Sequence, residues 1–438
     1  MEETTAIPTS EKRPTNKPDS YIIGIYITLC LFSLVESFSA SSREIKLAGS
    51  IYMPMVKHLV YLGIGALFVW LIQKKDYTKL LIPSMFFGVI TLLCLIAAMA
   101  LGQNINGAQR AISIFGFFTL QPAEMSKLAV VFALSFFIAQ NLRNKEVTRK
   151  GLIWCAVIVG VFGLLLFMQG LTNMLLFMGI SFALLIVGGT KWRRFPVIIG
   201  VYAILAMLSL GIKSTYDKFH LEDPEKLGTV ENVGTQEGKK GVFRSDTWID
   251  RLEEYFKELL GPKPYENEVI LENDQKLYSY LAQAHGGVIG QGPGGSRETS
   301  RLPLAFSDYV FSIVTEDTGF VGAVFLVFLY FCLLIRAGNI ARRCNRAYPA
   351  LLVMGMAVMI VMQAFFHMAI NTGVFPVSGQ NLPLISKGGT SIFVISIAFG
   401  VMLSVSRSAA QTGSAKTINN EEKEALPESV RAANPTKE

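Results

Sequence analysis

The sequence predicts an all-α polytopic membrane protein: ten transmembrane helices, cytoplasmic termini, and one large extracytoplasmic loop between spans 7 and 8. Three observations predict it. Hydrophobic residues make up 51% of the chain and charged ones only 17%, with a mean hydropathy of +0.42. Apolar runs of about 20 residues, the length that crosses a bilayer, recur along it. Lysine and arginine fall unevenly among the connections between those runs, which orients the whole.

The chain opens with a polar tail, residues 1–20, that contains Pro8, Pro14 and Pro18 and reads as disordered. Spans 1 to 7 follow, at roughly 21–39, 52–72, 80–101, 122–140, 151–168, 171–189 and 195–212. Ser-Phe-Ser-Ala at 37–40 loosely suits a signal peptidase, but the apolar core before it is long for a signal peptide and the span count needs it. With the connections numbered alternately, Lys74, Lys75, Lys79, Arg143, Lys145, Arg149, Lys150, Lys191, Arg193, Arg194, Arg336, Arg342, Arg343 and Arg346 share one side. The opposite short loops offer Arg43, Lys46 and Arg110. The positive-inside rule therefore places both termini in the cytoplasm and the long connection outside. The net charge of +7 is accounted for by those loops and calls for no nucleic acid.

Residues 213–307 form the extracytoplasmic loop. "DTWIDRLEEYFKELLG" sets Trp248, Leu252, Tyr255, Phe256 and Leu259 on one face of an amphipathic helix, suited to the interface, the bundle surface or a partner. "LYSYLAQAHGGVIGQGPGGS" reads as a short helix stopped by Gly286 and Gly287, then a glycine-rich turn. Gly290, Gly292 and Gly295 satisfy G-x-G-x-x-G, but no strand precedes them and no helix opens after them, so a dinucleotide site is rejected. Backbone N–H groups cradling a diphosphate and a plain flexible turn remain the two readings.

Spans 8 to 10, at 309–335, 348–370 and 388–406, complete the bundle, and 407–438 reads as a second disordered tail. Between the last two spans, "NTGVFPVSGQNLPLISKGGTS" is too irregular for a helix and too apolar for an ordinary loop. It reads as a re-entrant segment, which at that depth must line protein or a water-filled cavity. The five cysteines lie in predicted spans or at their cytoplasmic ends, and the four histidines show no ligand spacing. Neither a disulfide framework nor a structural metal is implied.

Ionisable groups near membrane depth are costly and mark candidate sites. In "QPAEMSKLAV", Pro122 suits a first helical turn, Glu124 complements the helix dipole and Lys127 follows three residues on. A self-satisfied pair at a helix end explains them as well as a binding site does. Arg110 can reach the same region from the preceding loop. In "LAFSDYVFSIVTEDTG", a helix from 308 to 336 would be roughly 43 Å long, beyond a hydrocarbon core of about 30 Å. Asp308 must therefore emerge, with Glu316 and Asp317 nearer the lipid boundary. Asp308 follows Ser307 and fits a helix cap as readily as a catalytic acid. Lys387, in "SKGGTS", is an anion contact or a lysine snorkelling to water.

Four blocks of this chain resemble the FtsW/RodA/SpoVE (SEDS) family of bacterial cell-wall glycan polymerases, in the family's order and across nearly all ten spans. "GAQR" with "QPAEMSK" is similar to GAxRW and QPSExxK, "GGVIGQGPGGS" to GGxxGxGxGxS, "LPLAFSDYVFSIVTEDTG" to LPxxxTDFIFxxxxEExG, and "FPVSGQNLPLISKGGTS" to LPVTGxxLPFxSxGGSS. The chain departs from the pattern at Ala111, where the family often has Trp, and at Lys387, where Tyr is usual. "MQGLTNML" stands in place of the customary Pro-Asp-Leu-Gly-Thr-Ala, while Asp317 for the second Glu keeps the charge.

The resemblance implies a peptidoglycan glycosyltransferase in the bacterial cytoplasmic (inner) membrane, its active site facing outwards. It would polymerise lipid II, a disaccharide-peptide on undecaprenyl diphosphate, during septal synthesis of the division type. Asp308 matches the essential aspartate and would be the general base. Arg110, Lys127 and Lys387 would meet the departing diphosphate, and Glu124 and Glu316 would orient or neutralise those cations. Ser386, beside Lys387, completes the implied substrate contacts. No cofactor is certain; a divalent cation, Mg or Mn, is the one candidate. The implied partners are a class B penicillin-binding protein transpeptidase and other division proteins, with no nucleic acid. A lipid II flippase and a non-catalytic division scaffold are the rival readings.

Overall fold

A computed structural model describes residues 17–39, 52–101, 103–105, 108–114, 118–143, 146–196, 198–200, 207, 255–256, 275–298, 302, 307–376 and 378–425. Within them ten principal α-helices form: α1 (Ser20–Ser39), α2 (Tyr52–Gln73), α3 (Leu81–Leu101), α4 (Pro122–Gln140), α5 (Arg149–Gln169), α6 (Leu171–Val187), α7 (Gln275–Gly286), α8 (Val310–Arg343), α9 (Ala347–Asn371) and α10 (Gly389–Ala425). Eight of these regions are long and apolar enough to cross a membrane, and α6 is a shorter apolar helix. The seventh expected span, 195–212, lies largely outside the described residues, as does the amphipathic helix at 247–260 apart from Tyr255 and Phe256, which are helical.

Local chemistry explains where the helices begin. Asp19 caps α1, its Oδ1 accepting from Tyr21 N and Ile22 N at 3.0 and 3.2 Å. The same carboxylate takes both Nε and Nη2 of Arg336 near the far end of α8, at 2.7–3.0 Å. Pro122 opens α4 with Glu124 in its first turn, and Thr148 Oγ1 caps α5 by accepting from Gly151 N at 3.3 Å. α10 differs from expectation, because residues 407–425, assigned to a disordered tail, continue its helix. That stretch holds no proline before Pro427 and is rich in helix-compatible residues.

The helices sort into an inner and an outer set. In their apolar stretches 72% of α4, 67% of α9 and 83% of α10 is buried, against 22% of α2 and 11% of α3. α9 and α10 therefore form the core against α4, while α2 and α3 turn apolar faces outwards, as lipid requires. The larger of two departures from an all-helical reading among the described residues sits between α3 and α4; the other is a short antiparallel pair, Leu142–Arg143 with Glu146–Val147, between α4 and α5. In the larger, β1 (Gln103–Ile105), β2 (Ala108–Ile114) and β3 (Phe118–Leu120) form an antiparallel meander, pairing Ile112 with Leu120 and Ile114 with Phe118. The β-branched alternation of "AISI" favours it. Thr390 at the start of α10 anchors β3, donating to Thr119 O at 2.7 Å and accepting from Gln121 N at 3.1 Å.

α8 has two parts. Gly319 interrupts it with φ 69° and ψ −171°, a conformation open to glycine and strained for other residues. Beyond the kink 24 residues remain to Arg343, roughly 36 Å of helix, enough for one crossing. The kink also frees backbone groups, and the glycine-rich turn after α7 takes them up. Gln291 N donates to Glu316 O and Gly292 N to Asp317 O, both at 2.9 Å, while Phe320 N and Val321 N donate to Gly287 O and Val288 O at 3.0 and 3.2 Å. Gly290, at φ 92°, lies so close to the main chain at Asp317 that a Cβ would collide with its carbonyl.

Candidate functional site

The irregular segment 372–388 lies between the end of α9 and the start of α10, with Asn381 through Ser386 buried. Two polar centres meet it. The first is at the start of α8. Tyr309 is the N-cap residue there and makes no side-chain capping bond. Asp308 is half-buried; its Oδ1 accepts from Ser307 Oγ at 2.9 Å, and its carboxylate stands against Gly379, where a Cβ would lie 3.2 Å from Oδ2. Ser386 joins the same corner. Its Oγ donates to Ser307 O at 2.9 Å and accepts from Leu382 N at 2.8 Å, tying the segment to the residue before Asp308.

The second centre lies on α4. Lys127 Nζ is 2.7 Å from Glu124 Oε1 and donates to Gln363 Oε1 at 2.9 Å. Gln363 Nε2 reaches Glu124 Oε2 at 3.3 Å and Asn381 O at 3.0 Å. All three side chains are buried, so their charges are balanced inside the protein rather than by water. The expected pair is thus present and self-satisfied, and through Gln363 it also holds the irregular segment.

Of the remaining expected residues, Glu316 is set apart. It is fully buried, and its carboxylate accepts from Ser296 Oγ and from the backbone N–H groups of Arg297 and Glu298, at 2.8 and 3.4 Å for the latter two. The glycine-rich turn does cradle an anion, but that anion is the protein's own carboxylate. Gly290 N, Gln291 N, Gly292 N and Gly295 N are likewise taken by backbone carbonyls. Those N–H groups are therefore already engaged within the protein, and the Glu316 carboxylate is held by the chain's own donors. Lys387 is half-buried and close enough to His58 for its charge to act on that imidazole. His58 Nε2 is in turn 2.7 Å from Ser33 Oγ on α1. Arg110 lies in β2, where Gln103 pairs with Ala111 and Asn104 with Gln109. It is the extra residue of a β-bulge.

The residues that sequence reasoning missed are on α9. Gln363, His367 and Asn371 follow at four-residue spacing, so they share one face, and each is buried. His367 Nδ1 is 2.6 Å from Gln380 O; a carbonyl only accepts, so that nitrogen carries the proton. Gln380 Nε2 also donates to Asn173 Oδ1 at 2.6 Å, which brings α6 to the segment from within the divergent "MQGLTNML" stretch. The available signal was three amide or imidazole groups on one stripe of an otherwise apolar span. Among the described residues no group of three His, Cys, Asp or Glu converges to hold a metal ion.

Comparison with known proteins places this geometry. The family model FTSW_RODA_SPOVE, described as "Cell cycle protein", matches residues 19–228 and 257–411. The chain is 26% identical over 400 residues to stage V sporulation protein E of Bacillus subtilis, covering 89% of this chain and 97% of that protein. It is equally similar, over 404 residues, to a probable peptidoglycan glycosyltransferase FtsW of Xanthomonas oryzae, covering 89% and 73%. Among solved structures, a chain from a peptidoglycan synthase complex aligns with a TM-score of 0.63 at 22% identity, covering 90% of this chain and 98% of that one. The rod shape determining protein RodA of Thermus thermophilus aligns at 0.58 and 23%, covering 89% and 97%.

Proposed function

The chain belongs to the FtsW/RodA/SpoVE family, and from that premise we propose that it is a peptidoglycan glycosyltransferase that polymerises lipid II, with Asp308 as general base. Ten spans with cytoplasmic termini put residues 213–307 and the Asp308 corner at the outer face of the cytoplasmic membrane. The carrying observation is that motif blocks far apart in sequence meet at one half-buried carboxylate, Asp308, with Gly379 against it and Ser386 tied to its neighbour.

A carboxylate so placed takes the proton from the acceptor sugar's 4-hydroxyl as that oxygen attacks the donor's anomeric carbon. The lipid diphosphate leaves, and a single displacement inverts the centre. Its charge needs cations nearby: Arg110 and Lys387 are the candidate contacts, while Lys127 acts through the Glu124–Gln363 network. Among the described residues no cluster of three His, Cys, Asp or Glu side chains offers a site for a Mg or Mn ion. A class B penicillin-binding protein would crosslink the strand, and septal division is the setting that the FtsW relatives suggest.

Chemistry is favoured over lipid II transport by the polarity of α9. From Ala347 to Met362 it carries no polar side chain but Tyr348, and the polar stripe begins only at Gln363. A transport path would need such groups along the other half as well.

The test is polymerisation of purified lipid II by the full chain with its transpeptidase partner. Wild type is expected to form glycan strands and Asp308→Asn none, with the variant folded and partner-bound. Equal activity in both removes Asp308 from the mechanism, and translocation without polymer reverses the choice between chemistry and transport.

A further inference from the structure

Asn371, the last residue of α9, sits 1% exposed at the start of α8, and every polar atom of its side chain is engaged. Its Nδ2 donates to Asp308 O at 3.0 Å and approaches His367 Nε2 at 3.3 Å and His367 O at 3.0 Å. Its Oδ1 accepts from Ser312 N and Ser312 Oγ at 3.3 and 3.0 Å. The α8 N-terminus, left without a side-chain cap of its own, is thus capped from α9. We propose that Asn371 is the positioning residue for Asp308, fixing the main chain that carries the carboxylate and linking it through His367 to the segment that faces it.

This rests on the reading of Asp308 as the base, and three features of the geometry support it. The amide bonds to the backbone of Asp308, not its carboxylate, so it orients the acid without consuming it. Two further groups hold Asn371 and its partner: Gln283 Nε2 on α7 donates to Asn371 O at 2.7 Å and Ser312 Oγ at 3.1 Å, and Ser279 Oγ is 2.7 Å from Ser312 Oγ. Finally, His367 Nδ1–H points to Gln380 O, one residue beyond Gly379, so its neutral Nε2 is the acceptor that faces Asn371. Asn371 therefore relates both walls of the corner, the α8 start and the irregular segment, to one rigid helix.

The test is steady-state polymerisation of lipid II by the complex, with thermal unfolding of each variant. Asn371→Ala and Asn371→Asp, the second keeping an acceptor for Ser312 but no donor for Asp308, are expected to lower kcat between roughly 10- and 100-fold, since small misplacements of a reacting group cost that much. The KM for lipid II should stay within about twofold, because uniform binding is untouched. Where those variants do not fold, Ser312→Ala decides, with a fall in kcat of several-fold at constant KM expected. Unchanged kcat in the folded variants overturns the inference, as does a raised KM with kcat intact. Activity surviving in Asp308→Asn would instead mark failure of the reading on which it rests.

Discussion

Asp308 and Glu316 are acids eight residues apart along one stretch of chain, and their surroundings are opposite. Glu316 is sealed: the turn that follows α7 gives it a hydroxyl and two backbone N–H groups, and its main-chain carbonyl takes a third N–H. Asp308 is half-buried, held through its backbone by Asn371, with its carboxylate against a glycine. The difference teaches that a costly charge near a membrane has two distinct uses. One acid locks two pieces of chain together, and the other is presented by them.

Substituting the two acids is the sharpest way to break that contrast. Asp308→Asn should abolish polymerisation with little change in unfolding temperature, whereas Glu316→Ala should strip the partner from three donors, of which the buried Glu298 N–H alone costs about 1–3 kcal/mol when left unmet. The measurable result for Glu316→Ala is a clearly lower unfolding temperature and faster proteolysis within residues 287–298. Equal stability of the two variants would erase the distinction.

Next in size is the buried pair on α4. Lys127→Met leaves Glu124 charged in a dry interior and should cost about 3–5 kcal/mol, read by thermal unfolding in detergent. Adding Glu124→Gln should restore part of that loss, since the uncompensated charge then disappears. A double variant no better than the single one would count against the pair as a balanced unit.

Two glycines, one against the Asp308 carboxylate and one against the main chain just after Glu316, offer the smallest and finest comparison. Gly379→Ala would press a methyl to 3.2 Å from Asp308 Oδ2 and should lower turnover on the order of tenfold, with stability nearly unchanged. Gly290→Ala, at positive φ and against the Asp317 carbonyl, should lose about 1–3 kcal/mol of stability. Turnover and unfolding curves on both variants should therefore move in complementary ways.

Much of the fold was legible before any coordinates. Apolar runs of bilayer length can satisfy their backbone in lipid only as helices, so the ends of α1, α2, α3, α4, α5 and α9 fell within two residues of where hydropathy put them. The meander between α3 and α4 escaped, because strands of three to seven residues leave little period to read. The helical continuation of α10 escaped as well, since a polar helix lacks an apolar stripe. At the site, Asp308, Ser386, Glu124 and Lys127 stood out by charge and motif. Gln363, His367 and Asn371 did not, because uncharged polar groups in a span cost too little to announce themselves.

The sequence by itself determined that the chain is a helical membrane protein and which carboxylates are expensive enough to need a reason. Only the tertiary structure decided which acid is locked and which is presented. A charge and its cost are local properties of the chain, whereas hydrogen-bond donors for a buried carboxylate come from segments whose approach depends on packing. Ser296 is 20 positions from Glu316, and Asn371 is 63 from Asp308; separations of that kind are set by the fold.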